Sequence, residues 1–73
     1  MSEIELESEV AGVVLSLTAA AGATVAEGDE IMVIESMKME IPVLATGPGV
    51  LASLAVEEGE AVSEGQVLAR IRP

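Results

Sequence analysis

The chain has 73 residues, none of them cysteine, histidine or aromatic, and its thirteen acidic side chains against three basic ones leave a net charge of −10. Disulfides and the usual zinc ligands are thereby excluded, and so acidic a surface repels phosphate backbones and anionic lipid headgroups, so neither nucleic acid nor a membrane is an expected partner. Apolar residues make up 51% of the chain, but they are Val, Leu, Ile, Ala and Met, which build a core and bring no hydroxyl or ring to chemistry.

From the N-terminus, Ile4, Leu6, Ser8 and Val10 alternate with Glu3, Glu5, Glu7 and Glu9, the period of a half-buried edge strand with its carboxylates in water. Strands are predicted next over Val13 to Leu17, Glu30 to Glu35, Met39 to Leu44, Val50 to Val56 and Val67 to Ile71, with short extended pieces at Thr24-Val25 and Ala61-Val62. These runs are rich in β-branched residues and bounded by glycine. The alanines at 19 to 21 favour a helix, but the run is too short and too close to Gly22 to form one. Eight or so short strands with tight connections predict an all-β domain, a flattened barrel or small sandwich. The first residues lack the basic start and apolar stretch of a signal peptide, and no apolar run is long enough to span a bilayer. The chain therefore reads as cytoplasmic.

An internal repeat organises these elements into one domain. Residues 12 to 35 laid over residues 49 to 72 without a gap are identical at nine of twenty-four positions, among them Gly12/Gly49, Gly22/Gly59 and Gly28/Gly65. Shared glycines imply shared turns, and two copies are too few for a solenoid, so a closed pair of halves related by a pseudo-two-fold is expected. Residues 36 to 48 fall between the copies and hold the only lysine, Lys38. The junction reads Glu35-Ser36-Met37-Lys38-Met39-Glu40, so a hairpin must reverse at Met37-Lys38. Tight hairpins favour Asn-Gly or Asp-Gly, and a pair such as Met-Lys carries strain there. A local rule broken in an otherwise consistent sequence points to function.

A lysine amine can form a Schiff base, act as a general base, bind phosphate or be acylated. The first two roles need burial or a cationic neighbour, whereas the neighbours here are Glu35 and Glu40. Phosphate binding calls for a glycine-rich loop opening a helix, which is missing. Acylation needs only an exposed amine on a protruding turn. The plain alternative is a solvated Lys38 with Met37 and Met39 filling core gaps.

Glu35-Ser36-Met37-Lys38-Met39 resembles the attachment motif of the biotin carboxyl carrier family, in which a lysine between two methionines at a hairpin tip receives biotin from biotin protein ligase. The resemblance extends over nearly the whole chain through Glu27-Gly28-Asp29, Pro48-Gly49-Val50 and Glu64-Gly65-Gln66-Val67-Leu68. Two departures are Ser36, where alanine is frequent, and Ala11-Gly12, where proline-glycine is common. The family fold implied is a flattened eight-stranded barrel of two four-stranded halves, and with only Thr18 to Ala23 after the second strand, no protruding thumb is expected. The function implied is that of a non-catalytic carrier with biotin amide-linked to Lys38. Such a carrier shuttles carboxyl groups between the biotin carboxylase and carboxyltransferase sites of an acyl-CoA or 2-oxo acid carboxylase. Met37 and Met39 would shape the tip and its fit in the ligase, with Glu35, Ser36 and Glu40 as lesser recognition elements. A lipoyl carrier shares the fold but usually has aspartate or valine before the lysine and alanine after it, and an unmodified binding module is the remaining alternative. A chain running from Met1 with almost no tail reads as a stand-alone carrier.

Overall fold

The computed structural model describes residues 2–73. Eight strands form: β1 (Ile4–Glu7), β2 (Gly12–Leu17), β3 (Thr24–Val25), β4 (Glu30–Ser36), β5 (Met39–Leu44), β6 (Gly49–Leu54), β7 (Ala61–Val62) and β8 (Val67–Arg72). They make two antiparallel four-stranded sheets, ordered β1-β8-β6-β3 and β5-β4-β2-β7, whose inner faces share one aliphatic core. The all-β, two-halved architecture expected from the sequence is the one found. Residues 18 to 23 do not protrude: Thr18 and Ala19 donate their N–H groups to the Ile31 carbonyl and Gly22 donates to that of Leu51.

Corresponding residues of the two halves do the same work. Val14/Leu51, Val25/Val62, Ile31/Leu68, Met32/Ala69 and Ile34/Ile71 are all in the core. The pairing of β2 with β4 matches that of β6 with β8 residue for residue, including an irregularity between Val14 and Ser16 that recurs between Leu51 and Ser53. The symmetry reaches further than the sequence repeat. Ile41 pairs with Ile34 as Ile4 pairs with Ile71, and the turn glycines Gly28 and Gly65 donate to the carbonyls of Ala45 and Ser8. β5 is thus the counterpart of β1: junction residues 41 to 44 correspond to residues 4 to 7 of β1, and residues 45 to 48 to the connecting segment 8 to 11. Where the first half closes with a turn, the second has the two chain ends.

Two strand boundaries differ from expectation by more than one residue. The first strand stops at Glu7 instead of running to Val10, because the buried Ser8 donates its hydroxyl to the Val10 carbonyl at 2.6 Å and bends the chain. The sixth stops at Leu54, and Val56, although buried, lies beyond the strand.

Among the glycines, Gly12 and Gly49 sit in the closest approaches. A Cβ on Gly12 would stand 2.4 Å from the Glu35 carbonyl oxygen, and one on Gly49 would stand 2.3 Å from that of Arg72. These are backbone atoms of packed strands and have no free rotamer to escape into. Gly12 therefore seats β2 against the end of β4, immediately below the junction turn. Gly12→Ala is expected to destabilise the fold by about 3 kcal/mol by overpacking, against about 1 kcal/mol for Gly59→Ala, which meets only left-handed backbone strain. Urea or thermal unfolding of the two variants checks the order, and equal effects would remove the special role of Gly12.

Candidate functional site

The junction turn is built by its flanking strands. Met32 and Ile34 of β4 are fully buried and face Val43 and Ile41 of β5, which fixes register through the period-two pattern. The last strand pair is Ser36 with Met39, leaving Met37 and Lys38 as a two-residue loop. Both have positive φ, 53° and 66°, the sign that a type I′ turn demands at its two central positions. They are the only non-glycine residues with positive φ among the described residues. Each carries roughly 1 kcal/mol of strain that the hairpin pairing holds in place.

The five residues singled out from the sequence are brought together at this turn. Lys38 is exposed at its second position and forms no ion pair among the described residues, while Arg70 and Arg72 each lie 3.3 Å from a glutamate, Glu5 and Glu3. Among the side chains of the described residues, the lysine amine is thus the one cation without an ion pair. Met37 is 92% exposed and Met39 63%, so the reading in which both fill core gaps is overturned; Met32 is the methionine that does so. Glu35 and Glu40 face each other directly across the hairpin, both exposed, an arrangement that costs stability by like-charge repulsion. The half-buried Ser36 donates its hydroxyl to the Ala11 carbonyl at 2.8 Å.

That last contact was not foreseen from the sequence. Together with Gly12 against Glu35, it fastens the base of the turn to the strand beside it. Its only sequence signal is serine where alanine is frequent. Apolar side chains also lie exposed on the same sheet, Val13, Leu15 and Leu44, and alternation alone does not reveal them. No cavity forms among the described residues, so the candidate site is convex. It can present an amine to another protein's active site, and the primary amine of Lys38, free of any ion pair, suits amide formation with a carboxylic acid cofactor.

A model of the family described as "Biotin-requiring enzyme" matches residues 7–71. The chain is 34% identical over 67 residues to a biotinylated protein TB7.3 homolog of Mycobacterium leprae, covering 92% of this chain and 94% of that one. It is 48% identical over 61 residues to the biotin-dependent acyl-coenzyme A carboxylase alpha3 subunit of the same organism, covering 84% of this chain and spanning only 10% of that subunit. Among solved structures, the Kluyveromyces lactis urea carboxylase superposes with a TM-score of 0.94 at 33% identity over 99% of this chain and 6% of that one.

The strain at the tip sets stability against use. Replacing Met37-Lys38 by Asn-Gly, the pair that a type I′ turn prefers, is expected to stabilise the fold by about 1 kcal/mol, raising Tm by roughly 4–8 °C, while removing the amine altogether. Thermal melts check this, and a lower Tm would show that the Met37 side chain stabilises the hairpin despite its exposure.

Proposed function

The chain belongs to the biotin-requiring family with biotin as its covalent cofactor, and on that footing we propose that it is a biotin carboxyl carrier modified on the Nζ of Lys38. The observation that carries this reading is the lone lysine, unpaired and exposed, at the second position of a left-handed turn between two exposed methionines. The cofactor supplies a ureido ring that accepts and releases a carboxyl group. The chain itself supplies no acid, base or metal to that chemistry. Its part is to hold the attachment atom at the end of a stiff hairpin, so that a tethered reactant reaches two active sites at high effective concentration.

The ligase that loads such a carrier must recognise the tip and not the cofactor alone. Met37 and Met39 offer it apolar surface, and the Glu35–Glu40 pair offers negative charge to a basic rim. Ser36 acts from below through the Ala11 carbonyl and keeps the turn in one orientation. The partners that follow, biotin carboxylase and carboxyltransferase, meet the same tip. The relatives named as carboxylases support an acyl-CoA or 2-oxo acid carboxylase as the setting, and we propose the cytoplasm as its location.

Lys38→Arg is expected to abolish biotin incorporation, because arginine keeps the charge but cannot form the amide, and to leave Tm within about 1 °C, since the side chain is exposed. Intact mass and streptavidin blotting of protein expressed with a biotin protein ligase decide it. Signal on the variant, or a lipoyl group on the wild type, would overturn the assignment. Association with the carboxylase partners is also expected to slow as salt rises from low to physiological strength, because the carrier is strongly acidic and acylation of Lys38 takes its charge further, from −10 to −11. Rates independent of salt would leave the acidic surface a purely solubilising role.

A further inference from the structure

The three methionines of the described residues occupy opposite environments. Met32 is 0% exposed in the core, whereas Met37 and Met39, on either side of Lys38, are 92% and 63% exposed. Exposure governs attack by small oxidants, so one buried and two open thioethers in the same hairpin differ widely in susceptibility. The turn adds to the difference. With Met37 in a left-handed conformation at the first loop position, its side chain leaves the sheet where no neighbouring strand covers it.

We propose that Met37 and Met39 form an oxidation-sensitive modification site that controls loading of Lys38. A sulfur lone pair attacks one oxygen of a peroxide, the O–O bond breaks, and the oxygen is transferred to sulfur as water departs. The thioether is oxidised by two electrons to the sulfoxide and the peroxide is reduced by two. A thiol-dependent sulfoxide reductase runs the reverse, taking the oxygen off as water while two thiols become a disulfide. No bond to the lysine changes. What changes is the surface that the loading enzyme must cover: two apolar, flexible side chains become polar and chiral, and an S=O oxygen brought into an apolar contact needs a partner or carries a desolvation cost. The fold is untouched, because neither side chain contributes to the core. The effect on loading rests on the carrier reading above, whereas the pattern of oxidation does not.

The test uses the full chain, unloaded and folded, treated with hydrogen peroxide. Cleavage after glutamate separates the methionines, placing Met32 in residues 31–35, Met37 and Met39 in residues 36–40, and Met1 in residues 1–3. Mass mapping is expected to show one and then two added oxygens on residues 36–40 while residues 31–35 stay unmodified until the protein is unfolded. Circular dichroism and Tm are expected to hold. With a biotin protein ligase, the doubly oxidised protein is expected to lose roughly tenfold or more in kcat/KM, the scale of one uncompensated polar group in an apolar contact. Methionine sulfoxide reductase is expected to restore the untreated rate. The double variant M37L/M39L, whatever its own starting rate, is expected to load equally fast before and after peroxide. Equal loading of oxidised and reduced wild type, or oxidation of Met32 at the rate of Met37, overturns the proposal. Failure of the untreated protein to accept biotin would count instead against the carrier reading, because it is read before any oxidant is added.

Discussion

Everything at the working end of this molecule depends on one two-residue turn whose backbone must be left-handed. Glycine or asparagine would satisfy that demand without strain, yet Met37 and Lys38 occupy it with φ of 53° and 66°. The pairing on either side makes this possible. Met32 and Ile34 can reach the core only in one register, and that register leaves two residues for the reversal. Burial of those side chains is worth several kcal/mol, so strain of roughly 2 kcal/mol at the tip is tolerated. The turn is held from outside itself, and its two side chains are left free of structural duty.

The pseudo-two-fold explains why that turn exists at only one place. Each copy of the repeat, residues 12 to 35 and 49 to 72, ends on a residue whose carbonyl lies against the copy's own first glycine, Glu35 by Gly12 and Arg72 by Gly49. In the first half the chain continues through the turn into β5; in the second it ends, and β1 enters beside it. Symmetry supplies a matched scaffold, and the single covalent link between halves is where the symmetry lapses. Charge follows the same division. Both arginines are paired with glutamates on the β1–β8 sheet, so among the side chains of the described residues the unpaired cation is confined to the link.

Much of this was legible in the sequence. The turn at Met37-Lys38 followed from apolar alternation on both sides, and the halves followed from shared glycines. The counterpart of β1 was not legible, because residues 4 to 11 share only isoleucine with residues 41 to 48. What those segments share is burial, as with Ser8 and Ala45, both 3% exposed, and burial is a property of the folded chain. The strand irregularities at Leu15 and Ala52 were hidden for a related reason: an apolar run such as Val13-Val14-Leu15 fits the sheet in either phase until its partner strand chooses one. The hydroxyl bond from Ser36 to Ala11 joins residues twenty-five apart, and no local pattern encodes it.

A carrier gains from being stiff everywhere except at the atom it carries. Docking a flexible loop into an active site would cost ordering entropy at every visit, whereas a turn already fixed by strand pairing, by Gly12 and by the Ser36 hydroxyl has lost that freedom on folding. What remains mobile is the exposed lysine side chain, which under the proposed function would carry its attached group between sites. The opposed carboxylates of Glu35 and Glu40 belong to the same economy. Their repulsion is a cost in the free protein that a basic partner surface of the kind proposed above would relieve on contact, returning part of that cost as affinity at the tip.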